Sequence, residues 1–131
     1  MVDISYLGDL NSEQEKAVRL TEGPVLVLAG AGSGKTKVLV HRVAWYLETG
    51  QALPSSVLAV TFTNKAATEM RHRIRILTDS DTDSMWVGTF HGLCNRFLRT
   101  HYQDAKLPET FQYNTYNIAY RARHSDCPPL L

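Results

Sequence analysis

The chain has little cysteine, no long apolar run and almost no net charge, and each scarcity removes a class of function. Its two cysteines, Cys94 and Cys127, lie far apart and lack the paired spacing of a zinc site or of a disulfide-stapled secreted domain. Both are read as reduced and non-catalytic. No apolar stretch approaches the roughly 20 residues that a membrane span requires, so no membrane insertion is expected. Met1-Val2-Asp3-Ile4-Ser5 shows no basic cluster leading into an apolar core; no secretory signal is read there, and a cytoplasmic location is the expectation. With a formal net charge of +1, any nucleic-acid surface must come from local clustering rather than from total charge. Lys65, Arg71, Arg73 and Arg75 do cluster, with Glu69 as the one acid among them. A run of this kind is most often a solvated helix face.

What is present is the makeup of a globular domain. An apolar fraction of 44% and a charged fraction of 21% are ordinary for a soluble fold, and 131 residues suit one domain. Asn11-Ser12-Glu13-Gln14-Glu15 precedes Ala17, Val18 and Leu20, and predicts a helix start. Either Asn11 with Gln14 or Ser12 with Glu15 can form its capping box. Pro24-Val25-Leu26-Val27-Leu28-Ala29 is a short apolar run ending at glycines, the pattern of a strand buried on both faces of a parallel sheet. From Lys35 the spacing of Leu39, Val43 and Leu47 predicts a helix, with Gly50 as its stop. Val57 to Thr61 reads as a second strand, and Ala66, Met70, Ile74 and Leu77 as the inner face of a second long helix capped by Asn64. A polar turn over Asp79 to Ser84 leads to a third strand, Met85 to Thr89. A last helix follows, His91 to Tyr102, with Leu93, Phe97 and Leu98 to bury. Strands alternating with helices predict the α/β class, a parallel sheet flanked by helices. After Gln112 no period is sustained, and residues 113–131 are expected to be poorly ordered.

Ala29-Gly30-Ala31-Gly32-Ser33-Gly34-Lys35-Thr36 falls between the first apolar run and the first long helix. That is where a glycine-rich phosphate loop has mechanical meaning. A polyphosphate needs backbone N–H groups at close approach, which Gly30, Gly32 and Gly34 allow. The helix opening at Lys35 adds its unpaired donors and the positive end of its dipole. Lys35 is the candidate for the β and γ phosphates, and the Thr36 hydroxyl for Mg²⁺. Ala29 replaces the first glycine of the general pattern and still permits a tight turn. The plain alternative is a glycine-rich connector.

Three further segments carry a resemblance. Leu10-Asn11-Ser12-Glu13-Gln14, Ala59-Val60-Thr61-Phe62-Thr63-Asn64-Lys65-Ala66-Ala67-Thr68-Glu69-Met70 and Val87-Gly88-Thr89-Phe90-His91-Gly92, together with the loop, resemble the motifs of UvrD/Rep/PcrA-type superfamily 1 DNA helicases. Val38 to Val43 and Glu69 to Ile74 are similar as well, so the likeness covers about residues 6–112. It implies a RecA-like P-loop fold, ATP and Mg²⁺ as cofactors, and single-stranded DNA as partner, with a 3′-tailed duplex for the full-length family. It also implies 3′ to 5′ helicase activity in repair or replication. The implied nucleotide site is Gln14, Ala29, Gly30, Ala31, Gly32, Ser33, Gly34, Lys35, Thr36 and Lys37, with Lys35 and Thr36 in the catalytic role. Gln14 would bond the adenine edge, although a helix cap is its other reading. Lys37 stands where the family commonly has arginine. The implied DNA contacts are Phe62 for base stacking, Thr63, Asn64 and Lys65 near the backbone, and Thr89 and His91. Without the resemblance, Phe62 reads as the buried end of a strand and His91 as a structural histidine. The family's later acidic pair and arginines have no match in the chain. Residues 1–112 therefore read as an incomplete ATP-binding domain, a truncated or frame-shifted piece that hydrolyses ATP very slowly alone. Residues 113–131 read as a tail that does not match the family.

Overall fold

The first helix starts where the sequence offers it a cap. In a computed structural model, which describes residues 5–78 and 81–112, Asn11 stays extended and α1 runs over Ser12–Arg19. Of the two capping boxes open to the sequence, the Asn11 and Gln14 pair forms. The Gln14 N–H donates to Asn11 Oδ1 at 2.9 Å and the Asn11 N–H donates to Gln14 Oε1 at 3.1 Å. Each bond satisfies a donor that a helix start otherwise leaves to water.

The chain divides into two units, Met1–Thr89 and Phe90–Leu131. In the first unit α2 spans Lys35–Glu48 and ends at Thr49 and Gly50, the latter with φ 70°. This helix is covered on two sides. Val38 and Ala44 pack with Tyr6, Leu7 and Val18, while Val40 and Val43 join a second cluster with Ala59, Ala67, Met70, Ile74, Met85 and Val87. The predicted inner row is therefore only partly right. Val43 is buried and Leu47 packs at the margin, but Leu39 is exposed. Two neighbours on α2 bury a broad arc, and Leu39 falls on the remaining arc with Lys35, Arg42 and Tyr46.

Strand β1, Leu58–Thr61, pairs in parallel with β2, Trp86–Thr89, in the register Leu58↔Trp86 to Thr61↔Thr89. Between them α3 covers Asn64–Thr78, the crossover that parallel strands require. Its buried residues are Ala67, Met70 and Ile74; Ala66, expected inside, is only partly covered. Its cap is Thr63 rather than Asn64, for Thr63 Oγ1 accepts the Ala66 N–H at 3.1 Å, the bond an N-cap side chain makes to the third helical residue.

The largest departure from the sequence reading lies at Pro24–Ala29. This segment forms no strand, and Leu26 and Leu28 are 82% and 87% exposed. A strand exists only through its ladder. Among the described residues β1 pairs with β2 alone, and the backbone of residues 24–28 has no hydrogen-bond partner. Among the described residues there are two strands instead of the expected three.

In the second unit α4 spans Phe90–Thr100. Leu93 is buried as expected, whereas Phe97 is exposed and lies against His101 one turn on, ring centroids 4.7 Å apart. Arg99 sets its guanidinium over the Phe111 ring. The tail expected to be poorly ordered, residues 113–131, lies outside the described residues.

Candidate functional site

Glycine is required at two points of the loop between Ala29 and Lys35. Gly32 and Gly34 have φ 75° and 85°, left-handed values that a side chain penalises. Gly30 has no positive φ, and a Cβ there would meet no atom within 4 Å, so the third expected glycine is not demanded by the turn itself. The turn closes on the Gly30 carbonyl, which accepts from Ser33 Oγ at 2.7 Å and from the Ser33 N–H at 3.4 Å. Lys35 folds back across it, its Nζ donating to the Ala29 and Gly30 carbonyls at 3.1 and 2.5 Å. One ammonium hydrogen is left over.

The first backbone bond of α2 is Val38 N–H to the Gly34 carbonyl, at 3.0 Å. Among the described residues the N–H groups of Lys35, Thr36 and Lys37 consequently have no acceptor. The Thr36 side chain is exposed. Three free donors, an ammonium and a helix dipole thus belong to the loop and the first turn of α2, a set suited to an anion of several charges. The donor set fits a nucleotide's phosphates, and the Thr36 hydroxyl is a hard oxygen of the kind Mg²⁺ takes. Among the described residues no group of three His, Cys, Asp or Glu side chains could hold a metal. A Mg²⁺ ion here would lean on Thr36 and on phosphate oxygens.

The loop is held from the helical side. Gln14 Nε2 donates to the Ser33 carbonyl at 3.2 Å while its Oε1 completes the α1 box, so the cap residue and the loop neighbour are the same side chain. Lys37 Nζ donates to the Asp9 carbonyl at 2.5 Å. Arg42 donates to the Ala17 carbonyl, and Tyr46 Oη donates to the Thr21 carbonyl at 2.9 Å. These two side chains tie α2 to α1 and to the turn just after it. Sequence reading gave them no role; the only signal was that Arg42 falls in a stretch of family likeness.

At the C-terminal end of β1, Phe62 is fully exposed at 102%, which rules out the reading of Phe62 as a buried strand end. Thr61 Oγ1 donates to the Thr63 carbonyl at 3.0 Å and fixes the turn, and Asn64 and Lys65 are exposed beside it. Thr89 stands opposite Thr61 in the register. His91 belongs to the second unit, exposed and edge-on to the Phe90 ring at 6.1 Å. The basic cluster on α3 is mostly engaged. Arg71 donates to the Val87 carbonyl, Arg73 pairs with Glu69 and Arg75 with Asp83 at 3.1 Å. Lys65 is left as the exposed cation nearest Phe62 in sequence. No helix among the described residues is long and apolar enough to cross a membrane.

The sequence is similar to known proteins over most of its length. The family model described as the UvrD/REP helicase N-terminal domain matches residues 10–124. DNA helicase II of Escherichia coli (strain K12) is 58% identical over 112 residues, covering 85% of this chain and 16% of that protein. DNA helicase II of Haemophilus influenzae is 50% identical over 117 residues, covering 86% and 16%. The ATP-dependent DNA helicase PcrA of Staphylococcus aureus (strain Mu50) is 52% identical over 95 residues, covering 72% and 13%. The chain thus spans about one-sixth of the length of these helicase II relatives, 16% in each case. With nearly its whole length inside the matched region, the chain belongs to the UvrD/REP helicase N-terminal domain family.

Proposed function

We propose that the chain is the ATP-binding part of a DNA helicase of the RecA-like P-loop kind, a motor that moves 3′ to 5′ on single-stranded DNA and opens 3′-tailed duplexes. The observation that supports this most is the loop itself. Two left-handed glycines, a lysine folded across the turn and three free N–H donors at the start of α2 make a cradle for phosphates. In this reading Lys35 turns from the Ala29 and Gly30 carbonyls to the β and γ phosphates, and residues 29–34 wrap them with backbone donors. Thr36 holds Mg²⁺, which offsets negative charge on the phosphate oxygens. Gln14 reads the adenine edge, and Lys37 adds charge at the first turn of α2. Phe62 offers its exposed face to a base, with Thr63, Asn64, Lys65, Thr89 and His91 as the accompanying DNA contacts.

On its own the chain is a binder. Its sequence contains no adjacent Asp and Glu, and without an acidic group to place metal and water the loop supplies only part of the electrostatics of phosphoryl transfer. Thermal melting with and without Mg²⁺-ATP, beside Lys35→Ala, tests the reading. A nucleotide at 100 times its Kd adds about 2.7 kcal/mol to native stability. A transition raised by nucleotide in the parent and not in Lys35→Ala is the expected result; equal melting with and without nucleotide in both chains would refute it.

A further inference from the structure

We infer that Arg42 and Tyr46 are positioning residues for the phosphate loop: from α2 they grip the C-terminal end of α1 and so hold the Gln14 amide at the Ser33 carbonyl. The inference rests on the nucleotide-binding reading above.

A helix of eight residues is marginal by itself, and the far end of α1 depends on its neighbour. Leu20 leaves the helix in an extended conformation, its N–H donating to the Lys16 carbonyl. The next carbonyl, of Ala17, has no backbone donor among the described residues. Arg42 supplies one from the facing helix through Nη1, while its Nη2 donates to Tyr46 Oη at 3.3 Å. Tyr46 Oη in turn donates to the Thr21 carbonyl at 2.9 Å. The guanidinium also lies over the Tyr46 ring, 5.4 Å from its centre, so each side chain orients the other. A cation at this end of α1 meets the negative end of the helix dipole as well.

These bonds fix what packing leaves open. Val18 is fully buried in the cluster with Val38 and Ala44, but apolar contact has no direction and would hold a helix shifted along its axis nearly as well. Directional bonds to Ala17 and Thr21 set the shift. Gln14 stands three residues before Ala17 on the same helix, and its Nε2 donates to the Ser33 carbonyl at 3.2 Å. A slip of one residue's rise, about 1.5 Å, is enough to lose that bond. The connections close a ring. The loop runs into α2, α2 holds α1 through the guanidinium and the phenol, and α1 returns to the loop through the Gln14 amide.

The test titrates inorganic tripolyphosphate with Mg²⁺, a ligand with no base for Gln14 to touch, into the full chain by calorimetry, at a temperature where every variant is folded. Beside the parent stand Arg42→Met, Tyr46→Phe and Gln14→Ala, each of the first two combined with the third, and Ile74→Val. Gln14→Ala should lose about fivefold in affinity, the scale of one hydrogen bond, and Arg42→Met, which keeps an apolar stem, about as much. Tyr46→Phe should lose less, since Arg42 still reaches Ala17. Once Gln14 is alanine, Arg42→Met should cost nothing more, because its effect passes through that amide. Ile74→Val loosens the core under α3 and should lower the melting temperature without changing affinity, which separates position from stability. If Arg42→Met does not fold, Tyr46→Phe carries the test, because it removes a single oxygen. Unchanged affinity in Arg42→Met and Tyr46→Phe, the same further loss in the Gln14→Ala background, or an equal loss in Ile74→Val would overturn the inference and leave nucleotide binding standing. Binding of Mg²⁺-ATP without tripolyphosphate would overturn it too, since the loop would then not grip phosphate. If the parent binds neither, the nucleotide-binding reading falls, and this inference with it.

Discussion

An alanine at position 34 would drive its methyl group into the Gln14 amide. Gly34 has φ 85°, and a Cβ built on it stands 2.9 Å from Gln14 Nε2. Two costs follow, and they are separable. A left-handed backbone costs a non-glycine residue about 1–2 kcal/mol. The clash is with the end of a flexible side chain, so Gln14 can swing away, but it then gives up its bonds to Ser33 and Asn11. An exposed hydrogen bond contributes about 0.5–1.5 kcal/mol, so losing the pair adds about 1–3 kcal/mol. Gly34→Ala should therefore destabilise the chain by about 2–5 kcal/mol. Gln14→Ala forfeits the same two bonds by another route, so the double variant should cost about 1–3 kcal/mol less than the sum of the singles. Urea melts of the four chains measure all three quantities. Strict additivity would show that Gln14 does not hold the loop, and a neutral Gly34→Ala would refute the left-handed turn.

Three other outcomes are expected. Phe62→Ala should weaken binding to a single-stranded oligonucleotide by about 1–3 kcal/mol, the worth of one base stack, and leave the melting temperature alone because the ring is fully exposed; fluorescence anisotropy beside a melt checks both, and a large loss of stability would return Phe62 to the core. Ile74→Ala, at a site with 0% exposure, should cost about 2–5 kcal/mol, whereas Ile76→Ala, 67% exposed two residues on, should stay within about 0.5 kcal/mol; equal effects in urea would contradict the orientation of α3. Thr63→Ala should cost about 1 kcal/mol as a lost cap and Asn64→Ala much less, a ranking that the reverse order of midpoints would refute.

Helices were the most legible part of this chain, because their signals are local. The box at Asn11, the glycine at 50 and the periodic row Met70, Ile74, Leu77 each act within a turn or two. Even there, choosing between Asn11 and Ser12, or between Thr63 and Asn64, needs the backbone angle at which the chain enters the helix. Burial was less legible. The run Pro24–Ala29 has the residues of an inner strand, yet what covers a strand is set by segments distant in sequence, and so is the second neighbour that turned Leu39 outward. The glycine-rich turn was legible because its residues are confined to eight consecutive positions, Ala29 to Thr36. The ties that hold it were not: Arg42 reaches Ala17 and Tyr46 reaches Thr21 across 25 residues of sequence, and carbonyl acceptors leave no mark on a sequence.

Mechanically, the loop is a bracket bolted at one end. The ties around it, through Gln14, Lys37, Arg42 and Tyr46, run to the helical side, while the stretch leading into it from Pro24 has no ladder among the described residues. Among the described residues the turn is therefore braced on the side of α1 and α2 alone.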